Sequence, residues 1–177
     1  MLRRRIVSEA LHLGAVVPAA LGVCCLARDR GRLVELAAGL VMLVAMLDMA
    51  LGVMSGSGML ASSTWAVVLV SIGGGVLLAE KLGLVPRCRH TAIGTALMGS
   101  YAAVMALLGH SSSHAVHSPA AGHTVLLALC LAVALGGSAV HAILTWEEIT
   151  DRDAPIRARI AAGSMTVSMM VMLMAIG

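Results

Sequence analysis

Long apolar runs separated by short polar breaks dominate this chain. Each run is about as long as the roughly 20 residues a helix needs to cross a hydrocarbon core. They predict six helices, at about 6–27, 33–54, 63–84, 90–110, 121–146 and 157–176. The breaks between them are rich in Gly, Pro, Ser or charge: RDRGR, SGSGMLASS, LVPRCRH with Pro86, SSSHAVHSPAAG with Pro119, and EEITDRDAPIRAR with Pro155. Gly and Pro end helices by known local mechanisms, and irregular backbone has to leave the hydrocarbon. The expected fold is an all-α polytopic membrane bundle, residues 1–177 forming a single integral membrane domain.

Composition agrees. Hydrophobic residues make up 59% of the 177 positions and charged ones 12%, about half the usual share of a soluble domain. The net charge of +3 comes with no basic patch interleaved with aromatics, so it points away from nucleic acid and towards topology. Arg28, Arg30, Arg32, Lys81, Arg87, Arg89, Arg152, Arg157 and Arg159 fall in breaks on one side, and Arg3, Arg4 and Arg5 on the other. The positive-inside rule then places both termini outside the cell, in a multi-pass protein of the plasma membrane. A first segment lying along the interface would remove the conflict posed by the N-terminal arginines. That segment begins like a signal peptide, but Glu9 and His12 interrupt it and no A-x-A site follows. It is therefore expected to be a retained helix. Cys24, Cys25, Cys88 and Cys130 form no C-x-x-C pair and are expected to be free, buried thiols.

Thirteen methionines and no phenylalanine change the picture. Met42, Met46 and Met49 in the second helix and Met165, Met169 and Met172 in the sixth share the pattern M-x-x-x-M-x-x-M, which puts each trio on one helical face. Met98 and Met105 repeat the outer two positions in the fourth helix, with Tyr101 near the same face. These three helices run in the same direction, so the stripes fall at matching depth, as in a threefold repeat of a helix pair. Packing alone explains such stripes, because methionine fills irregular interior gaps. The sharper alternative is ligation, since thioether sulfur selects Cu(I) and imidazole suits copper or zinc.

Histidine points the same way. No Lys, Arg, Asp or Glu occurs from His90 to Trp146, yet His110, His114, His117 and His123 gather in the fourth break and its flanks. The first three, spaced i, i+4 and i+7, would share a face if the helix continued, and two or three imidazoles there could hold a metal. The plainer alternative is a solvated loop. His90 and His141 sit at one depth near the cytoplasmic end, with nothing that places a haem between them. Asp48, deep in the second helix, is either a functional carboxylate or a hydrogen-bond acceptor for a neighbour such as Tyr101 or a serine. Glu35 and Glu80 invite pairing with Arg32 or Lys81, and Glu147 and Glu148 belong to a solvated loop. Gly73, Gly74, Gly75, Gly136 and Gly137 suit close helix packing. No P-loop, dinucleotide fingerprint, H-E-x-x-H or G-x-S-x-G is present, and nothing suggests an enzyme.

The stretches LAAGLVMLVAMLDMALGVM, RHTAIGTALMGSYAAVMALLGH and GSMTVSMMVMLMAIG resemble small actinobacterial multi-span membrane proteins classed as a domain of unknown function. The matching positions are Met42, Met46 and Met49, then His90, Met98, Tyr101 and Met105, then Met165 to Met174. The resemblance implies a fold and a membrane address, and no activity.

The leading expectation is therefore a membrane protein that binds or relays a soft metal, copper(I), with outer histidines capturing the ion and methionine stripes holding it. The alternative is a non-catalytic accessory subunit or homo-oligomer whose methionines are adaptable contacts within a larger membrane complex. Proton coupling through Asp48 ranks third.

Overall fold

The computed structural model describes residues 2–27, 32–55, 59–85, 88–113, 121–152 and 154–176; within these, side chains are described except at 2–9, 11–13, 53–55, 109–113, 121, 123 and 175–176. Among them are six α-helices and no strand: α1 Leu2–Ala27, α2 Leu33–Ser55, α3 Ser62–Lys81, α4 Arg89–Ser113, α5 Ala121–Thr150 and α6 Ile156–Ile176. Five carry segments long and apolar enough to cross a membrane, namely Leu33–Gly52, Ser62–Lys81, Arg89–Leu108, Thr124–Thr150 and Ile156–Met174; Gly14–Ala27 of α1 is a shorter apolar segment.

The radial distribution of polarity is that of a bundle solvated by lipid. Leu40, Val44, Leu47, Val67, Leu129, Val133 and Ile143 are exposed, whereas Thr91, Thr95, Ser164, Ser168, His141 and Asp48 are buried. In hydrocarbon, polar groups gain by turning inward to partners, and helices gain by close packing rather than by hiding apolar surface. Small residues accordingly line the tightest contacts. A Cβ on Gly73 would lie 2.7 Å from the Ala92 carbonyl oxygen, and one on Gly99 would lie 2.9 Å from the Val70 amide nitrogen. Gly22 does the same for α1 against Ser164 of α6. The packing role holds for Gly73 and for Gly137, which faces Leu97, but Gly74, Gly75 and Gly136 have open space where a side chain would sit.

Helix α4 is central, packing against α2, α3, α5 and α6, while α1 packs on α6 and α2. A side chain of α6 reaches both α1 and α2. Ser168 Oγ donates to the Ala15 carbonyl of α1 at 2.7 Å and lies 3.7 Å from Met46 Sδ.

Four helix ends differ by three or four residues from the sequence reading: α1 begins at Leu2 rather than near 6, α4 runs to Ser113 rather than near 110, and α3 and α5 end elsewhere than expected. Helix α3 stops at Lys81 rather than near 84. Gly83 adopts φ +72°, its amide bonds the Glu80 carbonyl at 3.0 Å, and the Leu84 amide bonds the Ala79 carbonyl at 2.9 Å. That pair of bonds is a Schellman cap. Helix α5 runs four residues past Trp146 to Thr150, so Glu147 and Glu148 stand on a helix rather than in a loop. The four cysteines are free, but only Cys88 is buried; Cys24 is exposed and Cys25 and Cys130 are intermediate.

Candidate functional site

The methionine stripes turn inward. Met42, Met46, Met49, Met98, Met165, Met169 and Met172 are all buried and belong to one continuous cluster with Tyr101, Ala102, Trp65 and Leu69. Met105, nearer the opposite end of α4, is half-buried. The physical reason is the shared face and the shared direction. The N-termini of α2, α4 and α6 meet at one end of the bundle, so equal offsets along each helix become equal depths. Tyr101 closes one side by bonding Ser138 of α5 at 2.5 Å; the Ser138 hydroxyl is committed to the Ala134 carbonyl, so the phenol is the donor.

Of the other members of the expected site, Asp48 alone has a described side chain. His110 falls in the helical backbone of α4, but its side chain, like those of His114, His117 and His123, lies outside the described residues, and so do the side chains of Glu9 and His12. Asp48 is 2% exposed, and among the described residues its partners are neither Tyr101 nor a serine. The amides of Met59 and Leu60 donate to it at 2.5 and 3.0 Å, and the Trp65 indole at 2.7 Å. Three donors satisfy most of a carboxylate's acceptor capacity. Asp48 thus ties the α2–α3 connection to the end of α2.

A polar cluster at the N-terminal end of α2, α4 and α6 is the part that sequence reasoning did not assemble. Arg32 pairs with Glu35 at 2.6 Å and approaches Glu148 of α5 at 3.7 Å. Glu35 is 3% exposed and accepts a long bond of 3.5 Å from Thr91. Glu80 pairs with Arg89 at 2.8 Å and accepts from the Cys88 amide at 3.1 Å, not from Lys81. Burial, reinforced by the neighbouring Glu35 carboxylate, pushes the Cys88 thiol up to about 11. Arg32, Glu35, His90, Thr91, Glu148 and Met165 line a narrow, partly open cleft of about 10 Å³, room for about one water molecule.

Behind the cleft the two imidazoles meet. The His90 and His141 ring centroids are 4.2 Å apart, tilted at 49°, which leaves no room for a porphyrin between them. His90 Nε2 is 2.7 Å from the Thr145 hydroxyl. His141 Nδ1 faces Thr166 at 3.2 Å and Thr145 at 3.4 Å. His141 Nε2 is buried with no hydrogen-bond partner among the described residues. An unpaired buried polar atom costs about 1–3 kcal/mol, and such an exception marks a candidate functional atom. The only sequence cue was that His90 and His141 sit at one depth; the threonines that orient them are ordinary residues on two other turns.

Among the described residues, no three of His, Cys, Asp and Glu converge as metal ligands. No family model, curated protein or solved structure matches the chain.

Proposed function

We propose that this protein is a multi-pass plasma-membrane protein that binds or relays a soft metal ion, copper(I), through its interior thioethers. The observation that carries the proposal is the burial of seven methionines from α2, α4 and α6 in one cluster. Soft neutral sulfur donors, gathered away from water and from competing hard ligands, favour a soft monovalent ion. Met46 Sδ lies 3.7 Å from the Ser168 hydroxyl, whose single hydrogen goes to the Ala15 carbonyl, so that contact leaves the sulfur lone pairs uncommitted.

Six spans with both termini outside would put the Arg32 end at the cytoplasm and the far end of α4 outside. His110 would then stand five residues beyond Met105 on a continuous helix, with His114, His117 and His123 following it. Those imidazoles would capture the ion, and the stripes would take it inward.

The test is copper retention by the purified full-length chain after anaerobic loading with Cu(I) and desalting. Wild type is compared with a Met42→Leu, Met46→Leu, Met169→Leu, Met172→Leu chain, in which volume is nearly kept. Copper held by wild type and lost from the leucine chain, with helicity unchanged, is the expected result. Negligible copper in wild type, or equal copper in both, would sink the proposal.

A further inference from the structure

Within the soft-metal reading, on which this inference rests, we propose that His141 Nε2 and the Met169 thioether are the ligand pair of a monovalent soft-metal site above Gly94. Three helices contribute. The position that a Cβ on Gly94 would take lies 2.8 Å from the Met169 methyl carbon and 2.9 Å from His141 Nε2. Both atoms therefore reach the same point over the bare backbone of α4, and a side chain at residue 94 would keep them from it.

The hydrogen-bond network sets the state of the ring. Thr145 Oγ1 donates to the His141 carbonyl at 2.8 Å, and Thr166 Oγ1 donates to Thr145 Oγ1 at 2.6 Å. Each hydroxyl has a single hydrogen, so toward the imidazole Thr166 acts as an acceptor. We assign the proton to Nδ1 on that ground. Nε2 then carries a lone pair, which is the form in which imidazole binds metals, and a hydrogen bond from the second nitrogen is what normally orients a ligating histidine.

The residue is 1% exposed and that nitrogen has no hydrogen-bond partner among the described residues, so a ligand-ready atom is already aimed into the core. Met169 belongs to the buried methionine cluster, and Met98 and Met165 stand one helical turn from Gly94 and Met169 on their own helices, available as further sulfur donors. Imidazole and thioether are both neutral. They suit a monovalent ion in this interior better than a divalent one, whose charge would need closer anionic ligands. His90, which lines the cleft and touches His141, stands between the site and the Arg32–Glu35 end.

The experiment uses the full-length chain with His110, His114, His117 and His123 changed to Asn, so that His12, His90 and His141 are the remaining imidazoles. After loading with Cu(I), X-ray absorption is expected to show sulfur together with one nitrogen neighbour. His141→Gln removes the nitrogen, Met169→Leu removes sulfur, and Thr166→Val weakens binding about 10- to 100-fold by freeing the ring. A sulfur-only shell in the parent chain, or a His141→Gln chain that keeps its nitrogen neighbour and its affinity, overturns this site and leaves the methionine core standing. A wild-type chain that retains no copper overturns both. Should His141→Gln fail to fold, ¹⁵N spectra of the parent chain decide: Cu(I) is expected to shift one unprotonated imidazole nitrogen, and no shift overturns the site.

Discussion

The Trp65 indole donates to Asp48 Oδ2 at 2.7 Å, joining the first turn of α3 to the end of α2. Together with the Met59 and Leu60 amides, it turns an intramembrane carboxylate into a structural acceptor. Asp48→Asn presents an amide group to donors and is expected to lower the thermal midpoint by several degrees while copper retention stays at the wild-type level. Trp65→Phe, which removes one donor, should have the smaller effect. Thermal melts followed by circular dichroism give the answer. An Asp48→Asn chain that melts like wild type would show that the latch contributes nothing.

Neighbouring glycines of α3 should respond in opposite directions. A Cβ at Gly73 meets the α4 backbone at 2.7 Å, whereas one at Gly74 meets nothing within 4 Å. Gly73→Ala should destabilise by about 1–3 kcal/mol, because backbone rather than a flexible side chain has to yield. Gly74→Ala should be neutral or stabilise by up to about 1 kcal/mol through helix propensity. Unfolding titrations of the two variants in mixed micelles measure the contrast, and equal effects would contradict the packing described.

Cys88 should be slow to alkylate at neutral pH despite being a free thiol. Burial and the nearby Glu35 carboxylate hold its pKa at about 11, and only the thiolate reacts. At pH 9 a thiol of that pKa is about 1% ionised. In a chain with Cys24, Cys25 and Cys130 changed to Ser, the iodoacetamide rate should keep rising with pH beyond 9. Glu35→Gln removes the repulsion and should move the whole profile to lower pH. A profile that levels off near pH 8.5, as for an exposed thiol, would refute this.

Single Met→Leu changes at Met42, Met46 or Met172 should each cost less than about 1.5 kcal/mol, since volume is conserved. Their effect on copper retention should be much larger than their effect on melting. If stability and copper loss fall in proportion across the series, the methionines act through packing only.

How far the pattern of residues alone could carry is clear from particular cases. All six helices were visible because apolar runs of membrane length are a local property, and Gly and Pro mark their ends. That each methionine trio shares one helical face was visible too, because i, i+4, i+7 spacing is written in the chain, but the direction in which that face turns was not. The overextension of α3 past Lys81 arose because a Schellman cap at Gly83 resembles a tolerated helix glycine until its φ is known. Glu147 and Glu148 looked like loop residues because they are charged; on the long helix α5 they stand in the last turns, where Glu148 meets Arg32.

What the sequence determined, then, was the number and approximate extent of the helices and which side chains share a face. Each of these follows from near neighbours and from the thickness of a bilayer. What only the tertiary structure decided was which faces meet: Asp48 with Trp65, His90 with His141, and His141 Nε2 with Met169 over Gly94. Helix crossings depend on small residues spread over separate helices, and periodicity along one helix carries no information about the partner it will touch.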